Sequence, residues 1–351
     1  MKKIIKLIDY QFQHRHQLTK AYDDSNSMRY LSSNLDIYII GRFDCSDIEF
    51  YIIKGENYSY TVILIPISWP NQSVLRFIVD HKPDIIHMHG NHIWKQYPMY
   101  AKEFTKSLPR TKKIFSGAAH SKGNSDFLSY FDRVIVNHKI QIPIMRCEPE
   151  KVIVKKRCSD PIIFYPRKEQ RKIYDFVYVA GFIPWKRIDL MIDYVAKTPY
   201  NLVILGDPAR KVNHYKFIVD YIRKNKLEQK VFLHDFLRQV EVPKFLAKCK
   251  VWVWPNSKPE NPGTLTNRSV IEALACGMPL LVGKQAFKDT EFVRNGMNGW
   301  LYGDINDFRW KAENIIFNYK KMGKDSSIIN EHNFNFKENF IDFYNDLYQN
   351  L

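Results

Sequence analysis

Five cysteines (Cys45, Cys147, Cys158, Cys249 and Cys276) are odd in number and form no C-x-x-C pair, which argues against a disulfide framework or zinc module. That usage points to a reducing, cytoplasmic compartment. With 14 Gly and 17 Pro in 351 residues, collagen-like and linker-like classes are excluded. No apolar run approaches the roughly 20 residues that span a bilayer. The opening, MKKIIKLID, has too short an apolar stretch for a signal peptide and predicts a first strand instead. There is no internal repeat and no low-complexity tract. Acidic residues are scarce beside basic ones: 37 Asp and Glu against 53 Lys and Arg leave a net charge of +16. Such a field attracts nucleic acid, an anionic membrane surface or phosphorylated small molecules, and does not choose among them. What remains is an ordinary globular chain, 45% apolar and 15% aromatic. At roughly 150 residues per domain it makes about two domains.

Short β-rich runs alternate with amphipathic stretches, the pattern of an α/β protein with parallel sheets. In the first half the predicted strands are Lys3–Ile8, Asp36–Ile40, Tyr60–Ile65, Ile85–His87, Lys113–Ser116, Arg133–Val136 and Lys151–Val154. Helical spacing marks Ser73–Asp80 and Gln96–Ser107. The segment Ser159–Ile173, with two prolines and a basic cluster, breaks the rhythm. Strands at Asp175–Ala180, Asn201–Leu205, Lys230–Leu233, Lys250–Trp254 and Pro279–Val282 then alternate with helices at Ile188–Ala196, Val212–Lys224, Glu241–Ala247 and Asn267–Ala275. The resulting division is 1–160, a linker at 161–173, 174–330, and a terminal helix within 331–351 packing across the junction. In open α/β sheets ligands sit outside the carboxyl ends of strands, so residues at strand–helix turns carry the most weight.

Two such turns stand out. VWVWPNSKPENPGTLTNRSVIEALACGMPLLV (Val251–Val282) reads as a buried strand, a polar loop, a helix capped by Thr266 or Asn267, and a second buried strand after Gly277. The helix start is a ready anion site, and Glu272, one turn in, can accept both hydroxyls of a ribose. VYVAGFIPWKRIDLMI (Val177–Ile192) is again strand–turn–helix, with Lys186 and Arg187 where the turn becomes a helix. From there a cation can reach a diphosphate.

Ile271–Val282 closely resembles the "viEAmAcGxPvv" signature of retaining, family 4 type glycosyltransferases of the GT-B fold, and Glu291–Gly299 resembles the family's "E-x-v-x-x-g-x-n-G". The resemblance implies two doubly wound, Rossmann-like domains facing a central cleft: an acceptor-binding domain over 1–160 and a nucleotide-sugar donor domain over 174–330. It gives Glu272 to the donor ribose. The family's paired glutamates lie eight positions apart, and that place here is Thr264; Glu260 takes it only if the loop carries an insertion of four residues. Arg268 and Asn267 are candidates for part of that role, with Gly263 in the same loop. VGRl…KGxd is matched by Lys186 and Asp189, while Gly181 stands at the usual Arg and Arg187 at the usual Gly. Asn201–Asp207 resembles the "L.i.G.G" strand, placing Gly206 and Asp207 at the base pocket, and His234, Asp235 and Phe236 occupy the loop that meets the base. In the first half, Pro83–Gly90 resembles "pDviH.H", putting His87 and His89 in the cleft. Ile114–His120 resembles "v.t.H", where His120 lines the catalytic cleft and Gly117, Ala118 and Ala119 let a sugar approach. Asp160 matches the "GvD" Asp. The family's Gly-Gly turn after strand one is replaced by a turn holding His14, Arg15 and His16, which face either an acceptor or solvent.

The family resemblance implies a retaining, metal-independent hexosyltransferase. It has no cofactor beyond its nucleotide-diphosphate sugar and acts on a glycan or lipid-linked acceptor of a bacterial surface polysaccharide. Lys186, with Arg187, would neutralise the leaving diphosphate, and His120 would position the sugar. No DxD triplet is present to hold a metal, and the pair His87 and His89 with His92 lacks clustered carboxylates. The basic surface would hold the enzyme at the inner face of the cell membrane. Two rival readings stand beside it: a DNA-modifying or nucleic-acid-binding GT-B protein, against which no HTH or RNP-type motif appears, and an inactive sugar-nucleotide-binding protein, which Thr264 and Gly181 make credible.

Overall fold

The apolar runs close into two sheets, each carrying its own core. They are described from a computed structural model at residues 2–12, 30–31, 35–43, 45–54, 59–66, 68–89, 97–116, 125–167, 170–257 and 268–351. The chain divides into two units. One comprises Met1–Lys156, Asn261–Gly263 and Lys337–Leu351; the other comprises Arg157–Glu260 and Thr264–Phe336.

The first unit holds β1 (Lys2–Phe12), β2 (Leu35–Phe43), β3 (Glu49–Lys54), β4 (Ser59–Pro66), β5 (Ile85–His89), β6 (Lys112–Ser116), β7 (Arg133–Val136) and β8 (Val152–Val154). Their order in the sheet is β3-β4-β2-β1-β5-β6-β7-β8. Every pairing is parallel except β3 with β4. Helices α1 (Asn71–Asp80) and α2 (Tyr97–Ser107) cover it. Ile5, Ile63, Ile78, Ile86, Phe104 and Phe115 are buried in one cluster. Each such side chain contributes about 1.5–3 kcal/mol of transfer free energy. Strand β3 was not foreseen, because Phe50, Tyr51 and Ile52 are exposed on an edge and lack the inward face that alternation reveals.

The second unit holds β9 (Tyr174–Val179), β10 (Leu202–Leu205), β11 (Val231–His234), β12 (Cys249–Trp254), β13 (Leu280–Gly283) and β14 (Gly299–Tyr302). The order is β11-β10-β9-β12-β13-β14, parallel throughout. A parallel sheet covered on both faces needs apolar side chains on both. Hence β10 is buried at every position, and β12 carries Trp252 and Trp254 with rings stacked at 5.9 Å. Helices α3 (Ile188–Ala196), α4 (Val212–Lys224), α5 (Arg268–Ala275) and α6 (Ile305–Asn333) follow. The predicted α3 and α4 share both boundaries with the structure.

In both sheets the winding reverses beside the first strand, between β1 and β5 and between β9 and β12. These are two doubly wound α/β units, and the carboxyl ends of those strand pairs are where such sheets bind ligands. The segment 161–173, expected as a linker, groups instead with the second unit, because Ile163 and Phe164 bury against Ala275. The terminal segment rejoins the first unit through a π-helical turn, Lys337–Asp342, and α7 (Phe343–Asn350). Helix α6 was not foreseen: its apolar positions are sparse along 29 residues.

Candidate functional site

In the second unit the strand reversal is built around Lys186. After β9 the chain buries Ala180 and Phe182 and makes one 3-10 turn, Pro184–Lys186. Arg187 then takes a left-handed conformation (φ 47°, ψ 50°) before α3 begins. That conformation suits glycine, which accounts physically for the glycine of the resembled motif at this place. The Lys186 ammonium lies 4.1 Å from the ring centroid of Trp185 and 4.3 Å from that of Trp254, the last residue of β12. Its carbonyl accepts from the Tyr178 hydroxyl at 2.7 Å. Tyr178 in turn stands edge-on to Trp254, at 5.4 Å and 79°. Full burial, then the charge of Asp189, push its phenol well above its usual range, so it acts as a neutral donor. Arg187 points elsewhere: its exposed guanidinium forks onto Asp189 at 3.0–3.2 Å.

Helix α5 reaches the same end of the sheet. Ser269, in its first turn, donates to the Val179 carbonyl at the end of β9 at 3.2 Å. One turn on, Glu272 is buried, and Gln239 Nε2 reaches its Oε1 at 3.4 Å. Arg268 opens the helix and is exposed. Gly206 follows β10 and permits close packing: a Cβ there would lie 2.2 Å from the Ala180 carbonyl oxygen. Asp207 uses its carboxylate to cap the next turn, accepting from Ala209 N–H at 2.9 Å. Phe236 is exposed.

In the first unit, His87 ends in a hydrogen-bonded chain. Its Nδ1 is 2.7 Å from the Tyr348 hydroxyl on α7, and its Nε2 is 2.7 Å from Ser116 Oγ. Ser116 Oγ also lies 2.7 Å from His89 Nδ1. Burial, then the charges of Lys6, His89 and Lys155, hold the His87 pKa well below its usual value, so the ring is neutral. A neutral ring fits one continuous order: Tyr348 donates to Nδ1, Nε2–H donates to Ser116, and Ser116 donates to His89. Both nitrogens of His87 are thereby engaged. Among the described residues no group of three His, Cys, Asp or Glu side chains is placed to share a metal ion.

His120, Arg15, Glu260, Gly263 and Thr264 lie outside the described residues, as do His14, His16, His92, Gly117, Ala118, Ala119, Thr266 and Asn267. Sequence reasoning missed Trp185, Trp254, Tyr178, Ser269, Gln239, Ser116 and Tyr348. Trp254 carried one signal, as the last apolar residue of a strand ending at the reversal. Asn256, after β12, was also missed; its side chain accepts from Gln285 N–H at 2.9 Å and donates to the Gly303 carbonyl, locking the turn.

Residues 162–322 match the family model described as Glycosyl transferases group 1. Among curated proteins, "Uncharacterized glycosyltransferase MJ1178" of Methanocaldococcus jannaschii is 30% identical over 148 residues, 41% of this chain. The match spans 39% of that relative's length. Among solved structures, Anabaena HepE in complex with UDP and glucose superposes with a TM-score of 0.74 at 15% identity, covering 100% of both chains. A point mutant of S. aureus TarM in complex with fondaparinux, alpha-GlcNAc-glycerol and UDP gives 0.66 at 12% identity, over 98% of this chain and 99% of that one. At such identities the likeness shows the fold, which is that of GT-B glycosyltransferases.

Proposed function

We propose that this chain is a glycosyltransferase that moves a sugar from a nucleotide-diphosphate sugar to a hydroxyl acceptor. The observation that carries the reading is Lys186, an ammonium held over two indoles at the strand reversal. The sheet end it occupies is also reached by the helix bearing Glu272. It lies inside the stretch that matches the Glycosyl transferases group 1 model.

The chemical problem is a leaving diphosphate and an oxocarbenium-like sugar. A fixed cation beside the β-phosphate stabilises the charge that develops as the glycosidic bond breaks, and this lowers the barrier more than it tightens ground-state binding. Indole faces attract the Lys186 ammonium and hold it in place. Glu272, buried at the second turn of α5, accepts the ribose hydroxyls, while Gly206 and Phe236 border the base. The reaction retains configuration: the acceptor attacks from the face the diphosphate leaves, and the departing phosphate takes the acceptor proton, so no protein nucleophile is needed. Lys186 supplies charge stabilisation without a metal ion. Arg187 has a lesser part, because its fork is engaged by Asp189.

The donor is a UDP-sugar in this reading, supported by the UDP in the two neighbouring structures. For the acceptor we propose a glycan or lipid-linked precursor of a surface polysaccharide, made at the inner face of the membrane and met there by a chain of net charge +16. No helix among the described residues is long and apolar enough to cross a membrane.

A panel of UDP-, GDP- and ADP-sugars, read by thermal shift and nucleotide release, tests the proposal. One base series should raise the melting temperature, and that sugar should be released by the wild type but not by Lys186→Ala. Stabilisation by a donor with no turnover on any acceptor would make the chain a sugar-nucleotide-binding protein. Tight DNA binding with a steep salt slope would favour the nucleic-acid alternative.

A further inference from the structure

A cavity of about 510 Å³ opens in the second unit at the end of the sheet opposite the one Lys186 occupies. It lies where strands begin: Lys172 precedes β9, Cys249 and Lys250 open β12, and Pro279 precedes β13. Helix α6 forms another wall. A Cβ on its Gly323 would lie 2.5 Å from the Gly277 carbonyl oxygen, so the helix backbone presses on that turn. This contact sets Lys320 and Lys324, one helical turn apart, along the opening.

Five cations line the cavity: Arg167, Lys172, Lys250, Lys320 and Lys324. No Asp or Glu lines it among the described residues. Lys250 is paired with Asp175 at 2.7 Å, and Lys172 donates to the carbonyls of Ala247 (2.9 Å) and Cys249 (3.0 Å). The backbone takes the Lys172 protons but does not cancel its charge. Arg167 is the informative residue. Its guanidinium lies 4.1 Å from the Tyr165 ring centroid, and one Nη reaches the Ile163 carbonyl at only 3.5 Å. Its Nε is buried with no hydrogen-bond partner among the described residues. A buried donor left without an acceptor is unfavourable, and an anionic oxygen in the cavity would satisfy it. Two thiols on the wall add no negative charge, because burial pushes Cys249 up to about 12 and Cys276 higher still. Leu246, Met278 and Tyr319 supply an apolar surface beside the cations. The volume falls within the range of small-molecule sites.

We infer that this cavity is a second ligand site, distinct from the nucleotide-sugar site, that takes a phosphate monoester carrying an apolar or aromatic body. The phosphate sits against Arg167 and Lys324, and the body lies on Tyr319 and Leu246. The same chemistry has two sources, a soluble phosphate ester or the phosphate of a membrane lipid.

Calorimetric titration of the full chain with hexyl phosphate, inorganic phosphate and hexyl glucoside tests this. Hexyl phosphate should bind at least about tenfold more tightly than either control. The double variant Arg167→Gln, Lys324→Gln should lose that affinity by a similar factor while its melting temperature and its shift with UDP stay at wild-type values. Those two readings keep this site's failure separate from failure of the proposed donor site. Equal binding of hexyl phosphate to wild type and variant would overturn the assignment, as would hexyl glucoside binding as well as the phosphate, or no saturable binding at all. Should the double variant fold poorly, Lys324→Gln alone must still weaken hexyl phosphate relative to hexyl glucoside. Sedimentation with phosphatidylcholine vesicles, with and without phosphatidic acid, separates the sources. Co-sedimentation lost in the variant assigns a lipid phosphate; none, with hexyl phosphate bound, assigns a soluble ester.

Discussion

The Lys186 ammonium stands 4.3 Å from the ring centroid of Trp254, so the end of β12 holds the cation that follows β9. A cation over an indole is worth on the order of 1–2 kcal/mol, more where water is excluded. Because Trp254 is the buried end of a strand, it fixes where that charge sits, which is what a preorganised electrostatic catalyst needs. Strand order alone brings the two residues together, since β9 and β12 are neighbours in the sheet.

Removing the charge should therefore cost turnover more than stability. Lys186→Met keeps the stem that packs on the indoles and deletes the ammonium. Steady-state nucleotide release should fall about 100-fold or more, with donor affinity less affected. Melting temperature should fall by no more than several degrees, the loss of the cation–indole attraction. A variant that transfers sugar at a near-normal rate would remove the cation from the mechanism.

Glu272 predicts the complementary behaviour. Hydrogen bonds to a charged acceptor contribute about 1.5–3 kcal/mol, so Glu272→Ala should weaken donor binding by roughly tenfold to a hundredfold. Gln239→Leu removes the long 3.4 Å contact to the carboxylate and should change donor affinity much less. Titrating both variants with the donor nucleotide checks the pair, and unchanged affinity in Glu272→Ala ends its proposed ribose role.

Much of this site was legible because its residues sit at strand–helix turns, where local pattern and position agree. Lys186 and Glu272 are candidates on that ground, and the structure brings the elements that carry them to one end of the sheet. Residues acting across the sheet were not. Trp254 is a core residue by its pattern, and only the pairing of β9 with β12 turns it into the partner of Lys186. Tyr348 lies in a tail whose aromatic spacing fits any surface helix, and its bond to His87 spans 261 positions of chain. Long-range contacts of this kind leave no periodic trace. Strand β3 escaped for a different reason: an exposed apolar edge has no buried face to alternate against. The parallel sheets themselves were readable, because strands covered on both faces must be continuous apolar runs.

Close backbone approach makes Gly206 a stability test. Any side chain at 206 meets the Ala180 carbonyl oxygen, which belongs to the chain leaving β9 and cannot rotate away. Gly206→Ala should destabilise the fold by about 1–3 kcal/mol, as overpacking does. The chain between β9 and Lys186 should shift with it, so turnover is expected to fall as well. Chemical denaturation alongside nucleotide release measures both effects; full stability in this variant would contradict the close approach.

The His87 environment predicts how stability depends on acidity. In the folded chain its pKa lies well below the ordinary 6.5, first because it is buried and then because Lys6, His89 and Lys155 face it. In the unfolded chain it takes up a proton near pH 6.5. Between that pH and the depressed folded value, the unfolded state binds more protons, so stability falls as pH falls. The slope is at most about 1.4 kcal/mol per pH unit from this one group, and the contribution is fully present above 6.5. His214 is lowered as well and works in the same direction, which makes the difference between wild type and variant the relevant quantity. His87→Gln retains hydrogen-bonding capacity toward Tyr348 and Ser116 but cannot titrate. Its denaturation midpoint should decline less steeply than the wild type's from pH 6.5 to 5. Tyr348→Phe leaves Nδ1 buried without a donor, so it should destabilise at every pH by about 1–3 kcal/mol and leave the direction of the slope unchanged. Parallel pH profiles in wild type and His87→Gln would show that the buried imidazole is not the group that titrates.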